Sequence, residues 1–141
     1  MNTIFAIVTG FEQTGSIALL DVEMAGLHLT AMLVGTASKT PEWMPGMHVR
    51  VQFAEIDVAL AKNMAGLVSL RNRLPAAVTA IEHGRILTKV TLNAAGNTLA
   101  SLITTRAATA LSLQVGDQVE MLIKSSALQV VPHRALQGES G

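Results

Sequence analysis

The chain has 141 residues, of which 50% are apolar and 14% charged, and its formal net charge at pH 7 is zero. It contains no cysteine, which excludes disulfides, thiolate metal sites and cysteine nucleophiles. The balanced charge and the scarcity of aromatic side chains disfavour nucleic acids as partners. No segment approaches the roughly 20 apolar residues of a membrane span, and the N-terminus lacks the basic start of a signal peptide. We therefore expect a cytoplasmic protein that is not inserted in a membrane.

Strand signals recur twice along the chain. Apolar runs rich in β-branched residues and segments of alternating polarity predict strands in the same order in both halves. An alanine-rich stretch at 106–111 favours a helical turn before the fourth strand of the second half. The predicted strands are 3–10, 16–23, 29–34, 48–54 and 57–60, and then 74–81, 86–93, 99–104, 118–124 and 127–131.

This recurrence is an internal repeat. Residues 4–58, moved by seventy positions without a gap, fall on residues 74–128 in matching pattern. The matched glycines lie at turns, where a positive φ costs little without a Cβ. Identical pairs include Ala6 and Ala76, Val8 and Val78, Thr9 and Thr79, Gly26 and Gly96, Gly46 and Gly116, and Val49 and Val119.

Five short strands with one helical turn before the fourth are typical of a small barrel of the OB type. We therefore expect an all-β protein made of two tandem OB-like five-stranded barrels, the first covering residues 1–65 and the second 66–141. Residues 61–73 would link the barrels, and the polar tail from His133 onward would be frayed. Each barrel is small and the surface is poor in charge, so we also expect a homo-oligomer.

The two copies differ most in their polar and charged groups. Arg71 and Lys124 stand where the first copy has Met1 and Ala54. A guanidinium, an ammonium and hydroxyls without a carboxylate suit an oxyanion, and two positive charges balance a divalent one. The alternative is a set of ordinary surface and turn residues, because Ser-x-Arg-Asn is a short and degenerate pattern. The candidate set is Ser69, Arg71, Thr104, Lys124 and Ser125.

Four segments of the second copy follow one another at the spacing of a known family. They are Ser69-Leu70-Arg71-Asn72, Leu102-Ile103-Thr104-Thr105, Leu111-x-Leu113-x-Val115-Gly116 and Leu122-Ile123-Lys124-Ser125-Ser126. Together they closely resemble the Mop or molbindin domain, a member of the TOBE group that binds molybdate and tungstate. The resemblance covers residues 69–131, with 4–60 as a diverged copy, so the whole chain resembles a tandem di-Mop unit.

The resemblance implies that molybdate or tungstate binds at an interface between chains, without a cofactor and without catalysis. The ligands that it implies are Ser69, Arg71, Thr104, Lys124 and Ser125, with Asn72 as structural support. Family members often carry a serine three residues after the threonine. This chain has Ala107 there, so only the backbone N–H remains as a donor.

Di-Mop units occur as free molybdate-buffering molbindins, in molybdate-responsive regulators and in the tail of the molybdate transporter's ATP-binding subunit. The sequence shows neither a helix-turn-helix pattern nor a phosphate-binding loop. The first half lacks the Ser-Arg-Asn motif, and residues 54–60 resemble the transporter tail, so such a tail or a free protein derived from one is expected. The expected partners are further copies of the chain, as a dimer or a trimer, and an ABC transporter ATPase domain. The alternative is a purely structural dimerisation module that binds nothing, but two converging cations favour a ligand.

Other chemistry has less support in the sequence. The serines of the candidate set lack a histidine base, which disfavours nucleophilic catalysis. The four histidines are scattered without metal-ligand spacing, so no metal site is expected. They are His28, His48, His83 and His133.

Overall fold

A computed structural model describes residues 1–35 and 42–133 of the chain. It is built almost entirely of strands, as the repeat pattern predicts. The elements are β1 (Asn2–Thr14), β2 (Ile17–Met24), β3 (Leu27–Val34), β4 (His48–Phe53), β5 (Val58–Ala61), β6 (Asn72–His83), β7 (Leu87–Ala94), β8 (Asn97–Thr104), α1 (Thr105–Ala110), β9 (Gln118–Ile123) and β10 (Gln129–Pro132). Short 3-10 helices at Glu55–Asp57 and Ser125–Ala127 precede β5 and β10.

The strands form two antiparallel five-stranded sheets, in the orders β5-β9-β6-β7-β8 and β10-β4-β1-β2-β3. Each sheet belongs to one of two compact units. Unit 1 contains residues 1–2 and 54–124, and unit 2 contains residues 3–53 and the chain from residue 125 onward. The expected all-β class with two five-stranded OB-like halves is confirmed.

The units differ from the expected division at 1–65 and 66–141, because each sheet takes its fifth strand from the other repeat. Leu60 of β5 pairs with Met121 of β9, and Val130 of β10 pairs with Val51 of β4. These pairs become equivalent when one is moved by seventy positions, so the two sheets offer the same edge in the same register. A contiguous boundary was the simplest interpretation of a repeat, and it is wrong for β5 and β10.

The alternation of the sequence sets which side chains are buried. Along β6, Asn72, Leu74, Ala76 and Val78 are buried, while their neighbours are exposed or half-buried. Because successive side chains of a strand point to opposite faces, this is one face of the sheet turned to the core. Unit 2 buries the matching stripe of β1, including Ile4, Ala6 and Val8.

The matched glycines adopt the backbone conformation that the repeat predicts. Gly46 has φ of 94° and Gly116 has φ of 97°. These turns return the chain to the first strand of each repeat, where the N–H of Gly46 donates to Val8 O at 2.8 Å and that of Gly116 to Val78 O at 2.8 Å. A side chain at either position would be strained, because L-residues rarely adopt this region.

Side-chain hydrogen bonds satisfy backbone groups on both outer strands of the sheet in unit 1. Ser101 Oγ of β8 donates to Val58 O of β5 at 2.6 Å, which ties the two outer strands together. The amide of Asn2 bonds both backbone groups of Ala100 on β8. Backbone groups at a sheet edge otherwise invite pairing with another chain, so these bonds also protect the edge.

His133, where the sequence predicted a frayed tail to begin, is held by the fold. The N–H of His133 donates to His48 O at 2.8 Å, which continues the pairing of β10 with β4, and the His133 ring lies 4.8 Å from that of Phe5. The rest of the predicted tail, 134–141, lies outside the described residues. None of the helices within the described ranges has the length and apolarity needed to cross a membrane.

Candidate functional site

The start of β6 and the end of β9 are paired, and a candidate cation flanks each of them. Asn72 is the register partner of Ile123 in the antiparallel pair. Arg71 precedes Asn72 and Lys124 follows Ile123, so the same register places Arg71 opposite Lys124, one step beyond the ladder. Both residues are exposed.

Neither of these cations has an ionic partner within residues 1–35 and 42–133. Two other basic side chains of unit 1 form ion pairs within the protein. Arg73 pairs with Glu120 at 2.7 Å, and Lys62 pairs with Asp117 at 3.0 Å. Arg71 and Lys124 therefore carry two positive charges that no acidic side chain of the described residues compensates, and a divalent anion would balance both.

Asn72, expected to support the site, is fully buried at the start of β6. Its equivalent in the first copy, Asn2, shows how such an amide can serve the fold. The Asn2 side chain donates to Ala100 O and accepts from Ala100 N, both at 2.8 Å. A structural task for Asn72 is compatible with this burial, because a side chain closed off from solvent cannot reach a ligand at the surface.

Thr104 and Ala107 meet at the start of α1. Thr104 is the N-cap of the helix, and its Oγ1 accepts a hydrogen bond of 3.1 Å from the N–H of Ala107. This is the ordinary task of an N-cap hydroxyl. The Ala107 N–H that the sequence left as a possible anion donor is therefore engaged by Thr104, while the hydroxyl hydrogen of Thr104 remains available to a ligand.

The hydrogen bond between β8 and β5 shows how many strands separate Thr104, at the end of β8, from Lys124, which follows β9. Ser101, three residues before Thr104, bonds to Val58, and Val58 is the register partner of Ile123. Only β5 therefore separates β8 from the end of β9 that leads into Lys124. Barrel closure thus relates residues that the linear sequence keeps twenty positions apart.

The two candidate serines are close to the two cations in the sequence. Ser69 is exposed in the segment before β6, two residues from Arg71. Ser125 is the first residue of the 3-10 helix Ser125–Ala127, which begins the second segment of unit 2 and packs against β3. The sequence assigned both serines to the second barrel, but Ser125 belongs to the unit that carries Val34, the first-copy equivalent of Thr104.

Two arginines that the sequence analysis did not select border the start of α1. Arg85, in the turn between β6 and β7, and Arg106, in α1, line an open depression of about 740 Å³ together with Ile86 and Thr104. The repeat contained a signal for both, because the first copy has the uncharged Gly15 and Thr36 at the matching positions. The motif that drew attention to Arg71 and Lys124 does not extend to them.

No group of three metal-ligating side chains occurs in the part of the chain that the structure describes. The candidate residues themselves are hydrogen-bond donors and cations, which bind anions rather than metal ions. Their chemistry therefore fits an oxyanion better than a cation.

Residues 69–130 match the family of the TOBE domain. Over 80 residues the chain is 40% identical to the molybdenum import ATP-binding protein ModC of Brucella abortus, and over 73 residues it is 37% identical to the molybdenum transport protein ModE of Herbaspirillum seropedicae. The chain spans only 22% and 27% of the length of these relatives.

Among solved structures, the fold is similar to that of the cytoplasmic molybdate-binding protein ModG in a form with molybdate bound. The TM-score is 0.87 at 25% sequence identity, and the match covers 92% of this chain and 94% of that one. The similarity therefore extends over both units and includes the first, diverged copy.

Proposed function

We propose that this chain, whose residues 69–130 match the TOBE domain family, binds molybdate or tungstate and takes part in the control of molybdate uptake. It acts as a binding protein without a cofactor and catalyses no reaction. The relatives ModC and ModE carry molybdenum transport in their names, and ModG is a molybdate-binding protein. The cytoplasm, where ModG acts, is the proposed location.

One observation carries this proposal: Arg71 and Lys124 directly flank the Asn72–Ile123 pair at the end of the β6–β9 ladder, and neither has an acidic partner within residues 1–35 and 42–133. The planar guanidinium can hold two oxygens of a tetrahedral anion, and the ammonium supplies a compact second charge. In this proposal Ser69, Ser125 and the hydroxyl of Thr104 add neutral donors, and Asn72 keeps the strand end in place.

We further propose that the site is completed between copies of the chain, as a dimer in a transporter tail or a trimer in a free protein. Arg71 and Lys124 are both exposed in a single chain, and an anion bound there would remain largely hydrated. A second copy that covers the site would exclude water and strengthen each charge-assisted hydrogen bond. An ABC transporter ATPase domain is the proposed partner if the chain is part of a longer protein.

Calorimetric titration with molybdate, tungstate, sulfate and phosphate tests the proposal. We expect tungstate to bind close to molybdate, sulfate much more weakly, and phosphate most weakly near neutral pH. Protonated phosphate carries a hydrogen that neither Arg71 nor Lys124 can accept. This hydrogen must face a donor or occupy the oxygen of a serine or threonine hydroxyl, which costs about 1–3 kcal/mol. Sulfate lacks that hydrogen, and its smaller size makes it fit loosely.

The same titration separates the proposal from its structural alternative. A chain that assembles in sedimentation experiments but binds none of the four anions would be a dimerisation module without a ligand. Phosphate binding as tightly as molybdate at pH 7 would contradict this explanation of how the site selects its anion.

A further inference from the structure

A second group of unpaired cations lies at the start of α1. Arg85 and Arg106 are both exposed, and together they line two adjacent depressions of about 370 and 740 Å³. Within the described part of the chain neither guanidinium has an acidic partner within 4.0 Å. Two like charges that border the same depressions repel each other, and an arginine cannot relieve this by losing its proton. A bound anion would neutralise both charges at once.

The smaller depression has the lining that an anion prefers. Besides the two arginines it is lined by Thr105, Thr109 and Ala110, with no carboxylate among them. Thr105 is held by the fold, since its Oγ1 donates to Gly84 O at 2.7 Å and lies 2.9 Å from Thr88 Oγ1. This anchoring keeps the β6–β7 turn, which carries Arg85, against the first turn of α1, which carries Arg106. The hydroxyl of the exposed Thr109 is a further donor.

These arginines are also part of a charge difference between the copies. Residues 71–124 contain six basic residues and three acidic ones, whereas residues 1–54 contain two basic and four acidic residues. Arg73, Lys62 and Lys89 are each balanced by a carboxylate at 4.0 Å or less, but Arg85 and Arg106 are not. The excess charge of the second copy is therefore concentrated at two places, the Arg71–Lys124 pair and the Arg85–Arg106 pair.

We propose that Arg85, Arg106 and Thr109 form a second oxyanion site, separate from Arg71 and Lys124, which takes a divalent tetrahedral oxyanion. The two guanidiniums hold the anion from either side of the 370 Å³ depression, and the hydroxyl of Thr109 donates to it. Thr104 lines the neighbouring depression together with the same two arginines, whereas neither Arg71 nor Lys124 is among the residues that line either depression.

Crystals of the full chain soaked in tungstate test this directly, because the metal of the anion gives anomalous density at its own position. Peaks at both places support both sites, and a peak only between Arg85 and Arg106 supports the second site while contradicting the proposed binding at Arg71 and Lys124. A peak only beside Lys124 overturns the second site, and no peak overturns both.

The stoichiometry and affinity of tungstate binding, titrated in solution, distinguish a real site from the outcome of an adventitious ion only. We expect the double variant Arg85→Gln/Arg106→Gln to lose one tungstate site per chain, with at least a tenfold weaker affinity there and less than a twofold change at the other site. Lys89→Gln, which removes an exposed charge elsewhere, is the control and should keep both sites. Unchanged stoichiometry and affinity in the double variant would overturn the inference, and so would loss of both sites in Lys124→Ala.

Discussion

Asn2 and Ala100, 98 residues apart in the sequence, exchange two hydrogen bonds of 2.8 Å through the side-chain amide of Asn2 and the backbone of Ala100. Asn2 is 4% exposed and Ala100 is 7% exposed, so water cannot replace these bonds. The amide thereby satisfies the two backbone groups of Ala100 at the outer strand β8, as a neighbouring strand would.

Replacing Asn2 should therefore destabilise the fold. We expect Asn2→Ala to lower the free energy of unfolding by about 2–4 kcal/mol, because it leaves a buried donor and a buried acceptor unpaired. Asn2→Asp should lower it further at neutral pH, since a carboxylate facing Ala100 O can only repel it. Urea unfolding measures both effects. Gln129→Ala, which removes an exposed amide from β10, is the control, and equal losses in Asn2→Ala and this control would contradict the assignment.

Lys124→Ala should remove most molybdate binding without changing the fold. The ammonium is exposed and has no ionic partner in the described part of the chain, so its loss costs no internal contact. A charge-assisted hydrogen bond contributes about 1.5–3 kcal/mol, which corresponds to a loss of affinity of roughly 10- to 150-fold. Calorimetry checks this against Lys89→Ala as control, and a Lys124→Ala chain that binds like the parent would show that the site is elsewhere.

Thr104→Val, which copies the residue of the first repeat, should affect both the helix and the ligand. Loss of the N-cap bond to Ala107 should lower the free energy of unfolding by about 0.5–2 kcal/mol. Molybdate affinity should fall as well, because the hydroxyl donor is gone. Thr104→Ser keeps the hydroxyl and should restore both quantities, measured by urea unfolding and calorimetry. A valine variant with unchanged affinity would exclude Thr104 from the site.

The Arg73–Glu120 pair predicts a pH dependence of stability. The hydrogen bonds from Arg73, supported by its charge and opposed by burial, hold the pKa of Glu120 below its ordinary value of 4.5. A carboxylate with a lowered folded pKa stabilises the fold above the ordinary value, and this contribution is lost as the pH falls through the lower one. The stability difference between the parent and Glu120→Gln should thus be largest near neutral pH and shrink below pH 4.5. A stability difference that stays constant with pH would show that pairing with Arg73 does not lower the pKa of Glu120 in the folded state.

A substitution in the turn between β7 and β8 should stabilise the fold. Ala95 has φ of 50°, a left-handed conformation that alanine adopts at a cost and asparagine tolerates better. We expect Ala95→Asn to raise the free energy of unfolding by up to about 1 kcal/mol, and Ala95→Val to lower it because a β-branched side chain is strained there. Thermal unfolding of the three chains checks the order.

Much of this protein was determined by its sequence alone. Hydrophobic alternation predicted all ten strands to within a few residues, and glycine at the turns predicted positive φ at Gly46 and Gly116, because both depend on local backbone preferences. Comparison of the two copies also identified Arg71 and Lys124, since a divergence between repeats is visible without coordinates.

Only the tertiary structure shows which sheet each of the strands β5 and β10 joins, because the two repeats offer them equivalent positions. Both sheets offer β5 and β10 the same edge and register, so local pattern could not reveal that the two strands are exchanged. The use of the Ala107 N–H by Thr104 depends on the helix start, and the shared depressions of Arg85 and Arg106 depend on how a turn and a helix pack. Long-range contacts of this kind are set by the path of the whole chain, whereas periodicity constrains only neighbours along it.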